Sequence, residues 1–283
     1  MKYFEAKFTI KPYDEVAADV LTALLGESGF EAFLPTEDGL LGYVQQQDYN
    51  EEETQRIAST FGQHIVNYTI REAPEEDWNQ TWEQEGFEPI AVDDLVCVHD
   101  TNHTEVPPCR YDIVINPRMA FGTGTHPTTR QILRQLCNMD LSGRRIVDAG
   151  CGTGVLGILS AMRGANHVFS YDIDSWSVEN TLTNVALNRV EGFDVREGDA
   201  SVLPQDASYD LVIANINRNI LLQDMNRFVG ALKTGGQLLL SGFYEEDIPM
   251  LEEKGHGMGL RIEKKGIAEG WAMLLLRLVD IGL

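Results

Sequence analysis

Between Ile146 and Gly157 the chain reads Ile-Val-Asp-Ala-Gly-Cys-Gly-Thr-Gly-Val-Leu-Gly. A β-branched pair runs into an acid, glycines alternate at Gly150, Gly152 and Gly154, and an apolar helical pattern follows. The run predicts a buried strand turning sharply into a helix, because glycine adopts left-handed backbone without penalty. Bare backbone lets a ligand come close, and the first N–H groups of the new helix invite a negative group. Gly152, Gly154 and Gly157 match the G-x-G-x-x-G dinucleotide spacing, with Asp172 about where a ribose-binding acid belongs. Glycine spacing alone leaves the cofactor open.

The acids narrow the choice. A carboxylate at the end of the strand, Asp148, would repel a pyrophosphate docked above it. It would suit a ligand carrying an ammonium group, as S-adenosylmethionine does. Asp172 serves either ligand, since both present ribose hydroxyls to an acceptor. Two acids at the ends of successive strands point to a methyl-donor site rather than to helix caps.

At 283 residues the chain accommodates one large domain and a small one. No apolar run reaches membrane-spanning length, and the opening Met1-Lys2-Tyr3-Phe4-Glu5 lacks a signal peptide's apolar region. Cys97, Cys109, Cys137 and Cys151 form no C-x-x-C pair, which predicts reduced thiols in a cytoplasmic protein. A net charge of −22 would repel phosphate backbones, so no direct nucleic-acid binding is expected. A basic protein would instead be steered inwards.

Residues 1–72 predict the order β-α-β-β-α-β, the ferredoxin-like unit. Phe4, Ala6, Phe8 and Ile10 share one face of a first strand. Asp14 precedes an amphipathic helix carrying Val16, Ala17, Val20, Leu21, Leu24 and Leu25. Phe30 to Leu34 and Leu40 to Gln46 read as strands, Asn50 to Phe61 as a polar helix and His64 to Arg71 as a last strand. No cluster of catalytic residue types occurs here, which assigns the unit to substrate recognition or scaffolding. Residues 73–92 read as a linker helix, with Trp78 and Trp82 stacked on one face.

The catalytic domain is expected over 93–283. Leu95 to Val98 and Ile113 to Ile115 read as strands on its border. His99 and His103 between them lie in a solvated loop without fixed spacing, so no metal site is expected. Thr125 is placed to cap a helix whose first turn holds Pro127. The free N–H groups of that helix, with the Thr128 and Thr129 hydroxyls, are candidates to hold the donor's carboxylate, and Phe121 to cover its adenosyl group or sulfonium. His126 reads as an orienting residue more than a base. From the glycine turn onwards strands and helices alternate to the end of the chain, which predicts a doubly wound α/β sheet with its site at the strands' carboxyl ends. Asp199 ends one strand and could accept from the adenine amine. Asn215 ends another, and its carbonyl could accept from an incoming amine and aim the nitrogen at the methyl group.

Five segments carry a resemblance: Ala120 to Thr129 (Ala-Phe-Gly-Thr-Gly-Thr-His-Pro-Thr-Thr), Asp148 to Gly154, Asp172-Ile-Asp174, Ala214-Asn215-Ile216 and Ser241-Gly242. With these the chain closely resembles the ribosomal protein L11 methyltransferases, the PrmA family of class I S-adenosylmethionine-dependent enzymes. The likeness covers the whole chain and implies a Rossmann-like methyltransferase sheet behind a small N-terminal α+β domain. It implies cofactor contact by Thr129, Gly150, Asp172 and Asn215, release of S-adenosylhomocysteine, and methylation of lysine side chains and an α-amino group on the ribosomal protein, a basic partner; a monomer is expected. Asn217-Arg218-Asn219 stands where small apolar residues are expected, and Asn116-Pro117-Arg118 opens the long motif unusually. Both bear on which amines are accepted. Three alternatives compete: methylation of another basic protein, a nicotinamide-dependent oxidoreductase, and a non-catalytic binding module.

Overall fold

Alternation of apolar residues along Tyr3–Lys11 makes a first strand, β1, and sends Ala6, Phe8 and Ile10 into a core where each is at most 1% exposed. There follow α1 (Glu15–Glu27), β2 (Phe30–Thr36), β3 (Gly39–Gln45), α2 (Glu51–Ala58) and β4 (Ile65–Glu72). The sheet order is β2-β3-β1-β4, every pairing antiparallel, as a ferredoxin-like unit requires. Asp14 caps α1 by accepting from the Ala17 N–H at 2.9 Å, and Asn50 caps α2 by accepting from Glu53 at 3.1 Å. The buried stripe of α1 holds Ala17, Leu21 and Leu25, whereas Val20, expected on that stripe, is 46% exposed. In this computed structural model residues 3–36, 38–61, 64–73, 87–103, 106–116 and 122–279 are described. The linker helix expected over 73–92, with Trp78 and Trp82, lies mostly outside them.

The chain divides into two units, Met1–Trp78 and Asn79–Leu283, each with its own core. In the second, β5 (Ile90–Val92), β6 (Val96–His99) and β7 (Tyr111–Val114) form a small sheet, and α3 (Pro127–Cys137) leads from it to the large one. The glycine turn joins β8 (Arg145–Ala149) to α4 (Val155–Met162). Then come β9 (His167–Asp172), α5 (Ser175–Leu187), β10 (Phe193–Glu197), β11 (Tyr209–Asn215), α6 (Arg218–Ala231), β12 (Leu232–Tyr244), α7 (Ile248–His256), β13 (Leu260–Ala268) and β14 (Trp271–Leu278).

These strands form one sheet in the order β10-β9-β8-β11-β12-β14-β13. The first five are parallel; β14 is antiparallel to both neighbours, so β13 runs with the five. Side chains alternate between two faces: Ile146, Leu211 and Ile213 enter one core, Val147, Val212 and Ala214 the other. Chain order reverses between β8 and β11, which opens a crevice at their carboxyl ends. Among the described residues no helix is long and apolar enough to cross a membrane.

One expectation fails here. The stretch from His99 to His103 is solvated only in part: Thr101 and Asn102 are exposed, but His99 is 8% and Asp100 2% exposed. The Asp100 carboxylate accepts from the N–H groups of Phe87 (2.7 Å), Asn102 (2.7 Å) and His103 (3.0 Å). Buried backbone donors need an acceptor, and one carboxylate serves three of them.

Candidate active site

Strand register sets the depth of each acid. Ala149 pairs with Tyr171 on one side and Ala214 on the other, so Asp172 and Asn215, each one residue further, flank Gly150 at one level. Asp148 pairs with Ser170 and Ile213, two residues deeper than that level, roughly 7 Å. Asp148 therefore does not reach the crevice wall as expected. It is 1% exposed and its Oδ2 accepts from the Gly157 N–H at 2.9 Å inside the first turn of α4. Burial pushes its carboxyl up to about 7.

The turn itself is left-handed at Gly150 (φ 68°), Gly152 (φ 53°) and Gly154 (φ 79°). Four of its amides are occupied within the protein. Gly150 and Cys151 donate to the Tyr171 carbonyl at 2.9 and 3.1 Å, Gly154 to that of Cys151 at 2.8 Å. Gly152 donates to Asp172 Oδ2 at 2.9 Å, while Asp172 Oδ1 accepts from the Asp174 N–H at 3.1 Å. The strand-end carboxylate is thereby locked against the turn.

Above the turn opens a cavity of about 390 Å³ lined by Gly150, Gly152, Asp172, Asp199, Asn215 and Asp224, among others. These include five of the expected site residues. Three carboxylates reach the wall and, among the described residues, no lysine or arginine does. Asp199 accepts from the Ser201 N–H at 2.8 Å, a hydroxyl and N–H pairing that holds its carboxyl below the usual range. Burial and then the Asp199 charge raise that of Asp224, which sequence reading missed because it sits inside the ordinary amphipathic pattern of α6.

Two polar atoms of the lining are buried without a partner among the described residues: Asn215 Oδ1 and the Tyr171 hydroxyl. Burial raises the Tyr171 pKa further above its ordinary value. Asn215 Nδ2 donates to Thr129 Oγ1 at 3.3 Å, which fixes the amide so that the oxygen is the atom left over. Thr129 is 1% exposed and stands behind Asn215 rather than on the wall. The helix it belongs to is capped by His126, not by Thr125, since the His126 ring nitrogen Nδ1 lies 2.8 Å from Thr128 Oγ1 and accepts from the Thr128 N–H. Burial lowers the His126 pKa. Phe121 lies outside the described residues.

An asparagine ladder on α5 and just beyond it was also missed. Asn188 bonds both backbone groups of Val114, at 2.9 and 2.6 Å, and Asn184 and Asn180 bond the N–H and carbonyl of Asn116, at 2.8 and 2.6 Å. Asn184 also donates to the Thr153 carbonyl at 2.9 Å, and Thr153 Oγ1 to that of Gly122 at 2.8 Å. The i, i+4, i+8 spacing of Asn180, Asn184 and Asn188 was its available signal.

The cavity, lined by carboxylates and, among the described residues, by no lysine or arginine, fits a cationic ligand and not a pyrophosphate. A family model described as Ribosomal protein L11 methyltransferase (PrmA) matches residues 18–278. The chain belongs to this family. Ribosomal protein L11 methyltransferases of Bacteroides fragilis and Phocaeicola vulgatus are 45% and 43% identical to it over 96% of this chain and 98% of theirs. That of Porphyromonas gingivalis is 41% identical over 97% of both chains. The solved ribosomal protein L11 methylase of Lactobacillus delbrueckii subsp. bulgaricus shares the fold, with a TM-score of 0.63 and 24% identity over 69% of this chain and all of that one. The large sheet is thus the class I methyltransferase sheet of a methyl-transferring enzyme. Neither the oxidoreductase nor the binding-module alternative finds support.

Proposed function

We propose that this protein transfers methyl groups from S-adenosylmethionine to lysine side chains and the α-amino group of ribosomal protein L11, releasing S-adenosylhomocysteine. The relatives' names support the substrate. The donor and the chemistry rest on the cavity, above all on the buried, unpartnered Asn215 Oδ1. When bound, the donor supplies an electrophilic methyl group on a positively charged sulfur.

Asp172 would take the ribose hydroxyls, Asp199 the adenine amine, and Gly150 and Gly152 would leave room for the close approach. Phe121 would cover the donor. Thr129 would act through Asn215, and Asp148 would brace the first turn of α4 by accepting from the Gly157 N–H. Asn215 is the catalytic residue: its Oδ1 accepts one N–H of the substrate amine and so points the nitrogen lone pair along the line of displacement. A lysine amine, with a pKa near ~10.4 in water, must arrive neutral. Loss of its proton to water before it docks meets that need without a protein base. His126 Nδ1, engaged with Thr128, serves orientation.

The N-terminal unit (1–72) would recognise the ribosomal protein, the second unit, which takes β5 from the end of the stretch read as linker (73–92), would carry the chemistry expected of 93–283, and the enzyme would work as a cytoplasmic monomer. Mass spectrometry of ribosomal protein L11 incubated with enzyme and donor tests the function: added mass at lysines and the N-terminus is expected. Asn215→Ala should lower kcat by about 10²-fold. Unchanged kcat would remove Asn215 from catalysis.

A further inference from the structure

The departure Asn217-Arg218-Asn219 has a structural use. Ile216, next to Asn215, is wedged between two glycines. A Cβ on Gly150 would lie 2.5 Å from its Cγ2, and one on Gly242 would lie 2.3 Å from its carbonyl oxygen. These contacts seat the start of the turn, and at its exit Asn217 caps α6 by accepting from the Ile220 N–H at 3.1 Å. Arg218, first residue of α6, donates from Nη1 to Asp247 Oδ1 at 2.7 Å and from Nε and Nη2 to Asn219 Oδ1 at 3.1 and 3.0 Å.

Asp247 is 7% exposed, and its other oxygen accepts from the Tyr244 N–H at 3.1 Å. The Tyr244 ring stacks on Trp271 with centroids 4.2 Å apart, and His126 meets Trp271 edge-on at 4.7 Å. His126 bonds Thr128, and the adjacent Thr129 holds the Asn215 amide. The contacts run from Asn215 through the exit of its turn, across the segment after β12, and back to Asn215 by way of α3. Arg218–Asp247 is the ionic link in this circuit.

We propose that Arg218 is a positioning residue for methyl transfer: paired with Asp247, it holds the Asn215–Asn217 turn against the Tyr244 segment so that Asn215 Oδ1 stays aimed at the acceptor nitrogen. This rests on the function proposed above. A buried carboxylate that loses its cation destabilises by itself, whereas removal of both partners leaves no uncompensated charge. The pair is therefore tested by Arg218→Met, Asp247→Leu, their double variant and Arg218→Lys in the full chain. Assays use purified ribosomal protein L11 and S-adenosylmethionine.

Each Met or Leu single variant should lose about tenfold in kcat. Donor Kd by calorimetry should stay within about twofold of wild type. Amide hydrogen exchange over residues 215–220 should quicken. The double variant should recover thermal stability but not kcat, and Arg218→Lys should recover part of kcat. Wild-type kcat in the double variant, or unchanged exchange over 215–220 in the single variants, overturns the proposal. Failure of the wild-type enzyme to methylate the ribosomal protein would overturn the proposed function instead, and the exchange measurement would still decide whether Arg218 holds the Asn215–Asn217 turn.

Discussion

At Gly150 the backbone stands at φ 68° and a Cβ would overlap Ile216. Gly150→Ala adds a left-handed alanine to a steric clash, so it should cost about 2 kcal/mol in denaturant unfolding. It should also weaken donor binding, because the displaced Ile216 belongs to the cavity wall. Asp148 makes a prediction of a different kind. Its folded pKa is raised to about 7 by burial, against roughly 3.9 in an unfolded chain. Below roughly 3.9 both states hold the proton, and the stability linked to it is fully present. As pH rises towards 7 only the folded state keeps that proton, so stability falls, by at most about 1.4 kcal/mol per pH unit. Asp148→Asn should flatten this slope in denaturant titrations between pH 5 and 7 and show no such change above 8. An unaltered slope would mean that Asp148 is ionised in the folded enzyme. Two acids that look alike in sequence, Asp148 and Asp172, thus stand at different depths, Asp148 two residues below the level of Asp172 in the sheet.

Among the elements, α5 does more than pack. Its ladder of Asn180 and Asn184, continued by Asn188, gives Val114 and Asn116 the backbone partners that a neighbouring strand would otherwise supply. Asn184 is fully buried, so Asn184→Ala strands the Asn116 N–H and the Thr153 carbonyl. A loss of about 2 kcal/mol is expected, seen as a fall in Tm of about 4–8 °C; a fall under a degree would show these groups satisfied elsewhere. Elements with strong local signals were legible: β1 from its alternation, α1 and α2 from Asp14 and Asn50, the β8–α4 turn from its glycines. Strand β5 was not, because three residues carry too little pattern. The cap of α3 was misassigned because Thr125 and His126 are both capable acceptors, and only the folded ring position chooses between them.

For the whole molecule, a net charge of −22 sets a long-range field. If the substrate is a basic ribosomal protein, kcat/KM should fall about tenfold between low and moderate salt while kcat holds, since screening slows encounter and not chemistry. A salt-independent kcat/KM would remove steering from the account. The alternation of strands and helices after the glycine turn and the ferredoxin-like unit were written in local pattern: periodicity, caps and glycines act over a few residues, and a linear sequence displays such neighbours directly. Tertiary structure alone decided which carboxylates reach the cavity, that Asp224 and Tyr171 join it, that Thr129 stands behind Asn215, and that Arg218 finds Asp247. Those outcomes depend on register and on which faces meet across the sheet. Contacts between residues tens of positions apart leave no periodic trace in the chain.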